Sequence, residues 1–162
     1  MDICEFLSAH GIAFKRYDHE AVFTCEQAES LAIPTDAAGT KNLFLRDRKG
    51  RRHFLVTVCA EKAVDLKALE ALLGARGLSF ASGDRLERHL GLQAGSVTIL
   101  GVLNDCLGSV EVVVDEDLWN CAAIQCHPMV NTSTLVVAMD GIRRFLEITG
   151  HEPRVVRIPE RA

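Results

Sequence analysis

Two apolar runs separated by a short basic turn constrain the fold of this chain more than any other feature. The first, NLFLRD, spans residues 42–47, and the second, HFLVTVC, spans residues 53–59. The intervening RKGRR contains Gly50, which can adopt the backbone conformations that tight turns require. The pattern therefore predicts an antiparallel β-hairpin.

Helical spacing of apolar residues, with capping residues and terminal glycines, predicts five helices. The two clearest, over residues 65–74 and 82–91, each begin at a capping side chain and end at a glycine. A third is predicted over 25–32, where Thr24 can cap and Gln27 completes a capping box. The remaining two are predicted over residues 2–9 and 140–150.

Further strands are predicted on both sides of these helices. Residues 12–18 alternate like an edge strand, and SVTILGVLN with SVEVVVD predicts a second hairpin around DCLG, residues 105–108. AAIQCHP and TSTLVVA predict two more strands. Short strands joined mostly by hairpins and interrupted by helices favour one α+β domain over residues 1–162, with a mixed, largely antiparallel sheet flanked by helices.

Composition and charge exclude several classes of protein. The chain is 48% apolar and 25% charged, which is typical of a globular domain, and its net charge of −4 argues against a non-specific nucleic-acid coat. It contains no signal peptide and no apolar run long enough to span a bilayer. Six cysteines without a C-x-x-C spacing indicate reduced, buried thiols in a cytoplasmic protein, with no metal site.

Common catalytic motifs are missing, and three segments remain as candidates. The sequence lacks the P-loop order and the G-x-S-x-G elbow, and Cys126 and His127 are adjacent, so on a strand they face opposite sides. In GTKN, Lys41 either extends its amine to solvent or meets an anion. The backbone of His127 is held extended by Pro128, and its side chain either binds a ligand or is a core histidine. Gly95 either presents backbone amides to a ligand or forms an ordinary turn.

The residues of several segments, and the order of these segments along the chain, resemble those of a known family. The segments are GTKNLFLRDRKGR, LSFASGDRLERHLGLQAGSVT, GVLND, HPMVNTSTLVV and RFLEITGHEP, and the similarity runs from AVFTCEQA to GHEPRVV. The chain is similar to the YbaK/ProX family of aminoacyl-tRNA deacylases, and within it to free-standing prolyl-tRNA editing proteins of the ProXp-ala type. This resemblance implies the editing-domain fold and hydrolysis, in trans, of alanine wrongly attached to proline tRNA.

The resemblance also implies roles for individual residues. Lys41 corresponds to the essential lysine, with Asn42 beside it, and His127 corresponds to the histidine that lines the aminoacyl pocket. Gly95 opens the family's G-x-x-x-P loop, in which this chain has Ile99 at the proline position. The candidates for lining the aminoacyl pocket are Ile33, Val97, Ile99 and Met129.

The implied chemistry uses no cofactor, no metal and no covalent protein nucleophile, and the substrate's ribose 2′-hydroxyl assists the attacking water. The implied partner is mischarged, proline-specific tRNA, and prolyl-tRNA synthetase is a second candidate. Because the domain is acidic overall, RNA binding requires a local basic surface. One candidate surface is Arg46 and Arg48 with Lys49, Arg51 and Arg52, and the other is Arg85 and Arg88 with His89.

Two alternatives to alanine editing remain at this stage. Ile99 can change the shape of the pocket, so the same fold could act on 2-aminobutyryl- or seryl-tRNA. The chain could also be a weakly catalytic module that binds tRNA or the synthetase. The sequence leaves the oligomeric state open.

Overall fold

The structure of the chain, a computed structural model, describes residues 2–22 and 33–162. In chain order its elements are α1 (Ile3–Ala9), β1 (Phe14–Asp18), β2 (Thr40–Arg46), β3 (His53–Cys59), α2 (Leu66–Leu73), β4 (Ser79–Phe80), α3 (Gly83–Leu90), a 3-10 helix (Ile99–Asn104), β5 (Val110–Asp115), α4 (Glu116–Trp119), β6 (Ala123–Cys126), β7 (Ser133–Ala138), α5 (Met139–Thr149) and β8 (Arg154–Val156).

The predicted first hairpin is confirmed and forms the centre of a five-stranded sheet. The strand order is β4-β2-β3-β5-β8. β2 pairs antiparallel with β3, from Thr40 opposite Cys59 to Arg46 opposite His53, and β4 adds to the outer edge of β2. β5 and β8 continue the sheet in parallel. The sheet is therefore mixed, and the predicted α+β class is confirmed.

A second sheet has three antiparallel strands in the order β1-β7-β6. β1 lies at an edge as predicted, and the two strands predicted around residue 130 pair as β6 and β7. A parallel bridge between Ala38 and Ile124 joins this sheet to the segment that leads into β2. The two sheets therefore meet where the segment before β2 lies along β6.

Alternation along the central strands separates the core into two clusters. Phe44 and Leu55 belong to the larger cluster, which α1, α3, α5 and the 3-10 helix complete. Leu45 and Phe54 point to the opposite face and belong to a smaller cluster covered by α2. Because both faces of β2 and β3 are covered, a shift of one residue in register would exchange the two sets of side chains.

The prediction of a hairpin over residues 96–115 is wrong. The first half of this range forms a loop and the 3-10 helix, and the second half, β5, pairs in parallel with β3. The Oγ1 of Thr98 accepts a hydrogen bond from Leu100 N at 3.3 Å and caps the helix. Gly101 packs so closely that an added Cβ would lie 2.7 Å from Leu92 Cδ1. Local capping and close packing therefore override the strand propensity of the valine- and isoleucine-rich run.

The predicted helices over 2–9, 65–74, 82–91 and 140–150 match α1, α2, α3 and α5. Asp65 and Ser82 cap α2 and α3 as predicted, and Asp2 caps α1. The helix predicted over 25–32, with its Thr24 cap, lies outside the described residues. Among the described helices, none combines the length and apolar character that crossing a bilayer requires.

The expectation of buried cysteines holds for one of the five described thiols. Cys126 is buried, whereas Cys106 is exposed and Cys4, Cys59 and Cys121 are half-buried. All five are unbridged, and Cys25 lies outside the described residues. The buried-thiol prediction is therefore wrong for Cys106, which lies in an exposed loop before β5.

A buried pair of side chains joins GVLND and GHEP, two of the segments that resemble the family. Nε2 of His151 lies 2.8 Å from Oδ2 of Asp105, and both side chains are almost fully buried. The Asp105 carboxylate also accepts hydrogen bonds from Ser109 and from Val110 N. Burial alone would raise the pKa of Asp105, but these hydrogen bonds lower it. The pair anchors the loop that leads into β5.

A candidate active site at the junction of the two sheets

The junction of the sheets brings together the residues before Lys41 and those before His127. Ala38 N donates to Ala123 O at 3.0 Å, and Gln125 N donates to Ala38 O at 2.8 Å. Thr40 Oγ1 adds a hydrogen bond to Gln125 O. Lys41 and His127 each lie three residues beyond the bridging pair, so the parallel alignment places both at the same end of the junction.

A neighbouring strand holds the side chain of Asn42 in place. The Oγ1 of Thr57, a fully buried residue directly opposite on β3, donates to Asn42 Oδ1 at 2.7 Å. Since the oxygen of the amide accepts this bond, its NH₂ group points away from Thr57 with two donors. Asn42 is therefore a preorganised donor, and because it follows the half-buried Lys41 in β2, the two side chains leave the strand on opposite faces.

His127 is held in one tautomer. Its Nδ1 lies 3.0 Å from Ser133 O, and because a carbonyl oxygen only accepts, Nδ1 carries the proton. Burial lowers the pKa of His127, with a smaller contribution from nearby His19 and an opposing one from the bond to Ser133. Neutral His127 therefore presents an unprotonated Nε2 that can accept a hydrogen bond.

The loop after His127 is tied to the segment after β1. Asn131 Nδ2 donates to Val22 O at 3.0 Å, and Val22 N donates to Asn131 O at 3.1 Å. His19 lies 2.8 Å from Thr134 Oγ1 through its Nε2. Within this loop Met129 has φ of 66°, which is uncommon for a residue with a side chain. The surrounding bonds hold the loop in this conformation.

One asparagine, Asn104, links the elements around the Gly95 loop to the loop after His127. Gly95 has φ of 89° and lies between α3 and the 3-10 helix. Asn104 Nδ2 donates to Leu90 O at 2.8 Å and lies 3.7 Å from the sulfur of Met129. Asn104 therefore connects the end of α3, which precedes the Gly95 loop, with the loop after His127, and no described bond joins Gly95 to Lys41 directly.

The four predicted pocket residues differ in burial. Val97 and Met129 are half-buried and pack against the larger core cluster. Ile99 is 1% exposed and belongs to that cluster itself. Ile33 is half-buried at the start of the second described range. Val97 and Met129 can therefore contact a ligand and the core at once, whereas Ile99 lies beneath the surface.

The two predicted basic groups form one surface, which we call the basic surface: Arg46, Arg48, Lys49, Arg51, Arg85 and Arg88. They are joined because Arg85 Nη1 on α3 donates to Gly50 O at the hairpin turn, at 3.2 Å. Arg46 donates to Asp47 O and Arg48 O in the same turn. Gly50 has φ of 66°, a conformation that favours glycine, and the guanidinium groups of Arg85 and Arg46 pack close to its Cα.

Within the basic surface, side chains differ in how freely they can contact a partner. Arg48 and Arg88 are exposed, whereas Arg46 and Arg85 are half-buried and hold the turn. Arg52 lies apart from the surface because it binds Glu111 through two 2.9 Å contacts. Arg85 also donates to Nε2 of buried His53 at 3.1 Å, and His89 packs against that ring.

Sequence reasoning missed the residues that orient the site: His19, Thr57, Asn104 and Asn131. Each contacts a partner that lies on another segment, as Thr57 does with Asn42. Asn104 and Asn131 lie within the segments GVLND and HPMVNTST, which resemble the family, so both could have been proposed as site residues from the sequence. No comparable signal marks Thr57, whose role depends on strand register.

Together these groups provide a cation, an oriented amide donor and a neutral imidazole acceptor. Such a set can bind a phosphate or ribose oxygen, stabilise an oxyanion and hold a polar group of a ligand. In residues 2–22 and 33–162, no three His, Cys, Asp or Glu side chains are grouped as metal ligands. The arrangement is suited to hydrolysis of an ester by a positioned water.

Comparison with known proteins identifies similar sequences over most of the chain. A family model described as the aminoacyl-tRNA editing domain matches residues 19–145. The prolyl-tRNA editing protein ProX of Acetoanaerobium sticklandii is 37% identical over 147 residues, covering 91% of this chain and 90% of the relative. The prolyl-tRNA synthetase associated domain-containing protein 1 of Danio rerio is 36% identical, covering 94% and 83%.

A solved structure is similar in fold. It is described as a proposed trans-editing enzyme for prolyl tRNA synthetase, and it matches with a TM-score of 0.68 over 91% of this chain and 87% of its own. The sequence identity in that comparison is 19%, so it establishes the fold alone.

Proposed function

The chain belongs to the aminoacyl-tRNA editing domain family and is an aminoacyl-tRNA deacylase, and we propose that its substrate is alanine mistakenly attached to proline tRNA. The observation that supports this proposal is the parallel bridge between Ala38 and Ile124, since Lys41 and His127 each follow it by three residues, with Asn42 next along β2. The curated relatives named above are described by prolyl-tRNA editing or by association with prolyl-tRNA synthetase. Mischarged proline tRNA is accordingly the partner we assign to the site, with the synthetase as a second.

Lys41 supplies the positive charge in this proposal. Its ammonium pairs with the terminal phosphate or with ribose oxygens beside the ester, in a half-buried setting where such a pair is less screened than on an open surface. The ribose 2′-hydroxyl of the substrate helps to position the attacking water. No covalent intermediate with the protein is required.

Asn42 and the amides near Gly95 hold the aminoacyl group as negative charge develops on its carbonyl oxygen. Removal of one such donor typically slows an acyl-transfer reaction by about 10²- to 10³-fold. The unprotonated Nε2 of His127 accepts a hydrogen bond from the α-ammonium group of the bound amino acid. These contacts orient the ester toward the water.

A separate editor is required because a pocket for proline cannot strongly reject a smaller amino acid. Each missing methylene changes binding by only about 1–3 kcal/mol. A second, smaller pocket can admit alanine and exclude proline. Val97 and Met129 are our candidates for its walls, since both are half-buried and packed against the core.

The test is deacylation of a panel of mischarged tRNAs by purified protein. We expect alanine to be released from proline tRNA faster than 2-aminobutyrate or serine, and Lys41→Ala to abolish most of the activity. Lys67→Ala, which changes an exposed lysine on α2, is the matched control and should retain wild-type rates. Faster release of serine or 2-aminobutyrate would show that one of these, rather than alanine, is the preferred substrate. If no amino acid is released, the chain would be a module that only binds tRNA or the synthetase.

A further inference from the structure

Phe80 is an aromatic side chain left largely exposed on the edge of the five-stranded sheet. It lies on the two-residue strand β4 and is 62% exposed. Among the described residues, the other exposed large hydrophobic side chains are all aliphatic: Leu72, Leu107, Val130 and Ile148. An exposed aromatic ring presents a flat apolar face that the fold itself does not use.

The ring lies near the hairpin-turn end of the basic surface, whereas Arg46, the residue after Leu45 in β2, points to the other face of the sheet. Phe80 pairs with Leu45, and the preceding Ser79 pairs with Arg46. The loop before β4 packs on the hairpin turn, since Arg48 N donates to Arg76 O at 2.7 Å, and Arg76 adds a further exposed cation. The carboxylates in this region are Asp47, which accepts backbone bonds within the turn, Glu70, which accepts a bond from Leu78 N, and the exposed Asp84 and Glu87 of α3. Basic side chains therefore outnumber acidic ones around Phe80.

Phe80 and Lys41 share a face of the sheet. Alternation along β2 puts Lys41, Leu43 and Leu45 on one face, and Phe80 is directly opposite Leu45. The four residues from Leu45 to Lys41 correspond to about 13 Å along the strand. Since α2 covers this face at Leu45, a few unpaired nucleotides that contact both residues would follow the edge of the sheet at β4 and β2.

We propose that Phe80 stacks against an unpaired base near the 3′ end of the tRNA, while the basic surface contacts the adjoining phosphates. The inference rests on the proposed function, because it assigns the position of the same tRNA whose ester reaches Lys41. An aromatic face beside cations is the arrangement by which proteins bind single-stranded nucleic acid. Bases inside a duplex do not expose their faces, so the occupant is the single-stranded tail rather than the paired stem.

The first test compares deacylation by Phe80→Ala, Phe80→Leu and Phe80→Trp. Because the base lies away from the ester, its loss should raise KM with little change in kcat. We expect Phe80→Ala to lower kcat/KM by about 5- to 150-fold, the range found when a stacking aromatic residue is truncated. Phe80→Trp should retain activity, and Phe80→Leu should fall between the two. Leu107→Ala, at a 94% exposed position of another loop, is the matched control.

The second test separates this inference from the proposed function. Binding of uncharged proline tRNA, with and without its single-stranded 3′ tail, is measured by fluorescence anisotropy with no synthetase present. Phe80→Ala should weaken binding of the tailed tRNA and leave binding of the truncated tRNA unchanged. Equal losses on both RNAs, or no loss on either, would overturn the stacking role, including the case in which Phe80 contacts a protein partner.

The two failures give different results. If the wild-type protein releases no amino acid from any mischarged tRNA, the proposed function fails, and the binding comparison still decides the role of Phe80. If the wild-type protein is active and Phe80→Ala matches Leu107→Ala in both assays, only the stacking inference fails. Thermal unfolding of each variant identifies any loss of folding, and a folded Phe80→Trp without activity would also contradict stacking.

Discussion

Thr57 donates a 2.7 Å hydrogen bond to Asn42 across the central hairpin, from a fully buried position to the residue beside the candidate catalytic lysine. The bond determines which end of the Asn42 amide faces the site. Without it, the amide could rotate and present its oxygen where a donor is required. Thr57 is therefore a positioning residue that does not itself touch the substrate.

Thr57→Val should reduce deacylation while leaving the protein folded. Valine has nearly the same shape, so the expected stability change is the loss of one hydrogen bond, about 0.5–1.5 kcal/mol. We expect kcat to fall by about tenfold, corresponding to roughly 1.4 kcal/mol of lost transition-state stabilisation, with KM less affected. Thr57→Ser keeps the hydroxyl and should restore the rate. Equal kcat values for Thr57→Val and wild type would contradict the positioning role.

Ile99→Pro, which introduces the residue that the resemblance implies at this position, should be tolerated. Thr98 is extended, with φ of −150° and ψ of 150°, which suits a residue before proline, and Ile99 is the first residue of the 3-10 helix. The substitution removes some buried apolar surface, at a cost of about 1 kcal/mol.

The ranking of amino acids released by Ile99→Pro should match that of the wild type, because Ile99 lies in the core beneath the pocket. Leu100→Pro is the informative control, since Leu100 N donates to Thr98 and proline would remove that bond. A changed ranking in a folded Ile99→Pro protein, measured on the mischarged panel, would show that this position determines specificity.

Charge reversal on the basic surface should weaken tRNA binding and make it less sensitive to salt. Arg48→Glu and Arg88→Glu change exposed side chains that do not hold the hairpin turn. Each lost phosphate contact should reduce the slope of log K against log salt by about 0.7–0.9. Arg144→Glu, an exposed arginine of α5, is the control. If all three variants have the wild-type slope between low and moderate salt, tRNA binds elsewhere.

His53 should make the protein less stable in mild acid. Its Nε2 accepts a hydrogen bond from Arg85, and burial together with the positive charge of His89, Arg85 and Arg46 lowers its pKa to about 4. The unfolded chain titrates near pH 6.5, so between these values the unfolded state binds more protons. Stability is therefore complete above about pH 6.5 and decreases as the pH falls toward 4.

The expected loss over that interval is on the order of 3 kcal/mol, from 1.36 kcal/mol for each unit of pKa difference. His53→Gln keeps an acceptor for Arg85 and removes the titration, so its free energy of unfolding should vary less between pH 4 and 6.5. Urea unfolding at several pH values measures both proteins. Because the pKa of neighbouring His89 is also lowered by burial, some pH dependence should remain in the variant. Identical pH profiles would contradict this assignment to His53.

Local patterns predicted those parts of the fold whose determinants lie close together in the sequence. The Gly50 hairpin and the helices capped by Asp65 and Ser82 depend on residues within one turn of each other, and the structure agrees with them. The run over residues 96–104 was misassigned because a strand and a buried helix of similar length have the same apolar composition. β8, with three residues, is too short to show a period.

The candidate site was partly predictable for the same reason. Lys41, Asn42 and His127 lie in long segments that resemble a family, so they could be proposed as site residues without a structure. The residues that orient them act across long sequence separations. Asn131 bonds Val22 109 residues away, and His19 reaches Thr134 115 residues away. Such pairs depend on strand register between distant segments, which local patterns do not determine.

The bridge between Ala38 and Ile124 has a consequence for when the site exists during folding. Lys41 belongs to one sheet and His127 follows a strand of the other, so neither sheet contains a complete site. A chain that has formed only the central hairpin and its neighbours has the lysine without the histidine. Ester hydrolysis should therefore appear only once the two sheets have docked, which makes recovery of activity a measure of whether they have joined.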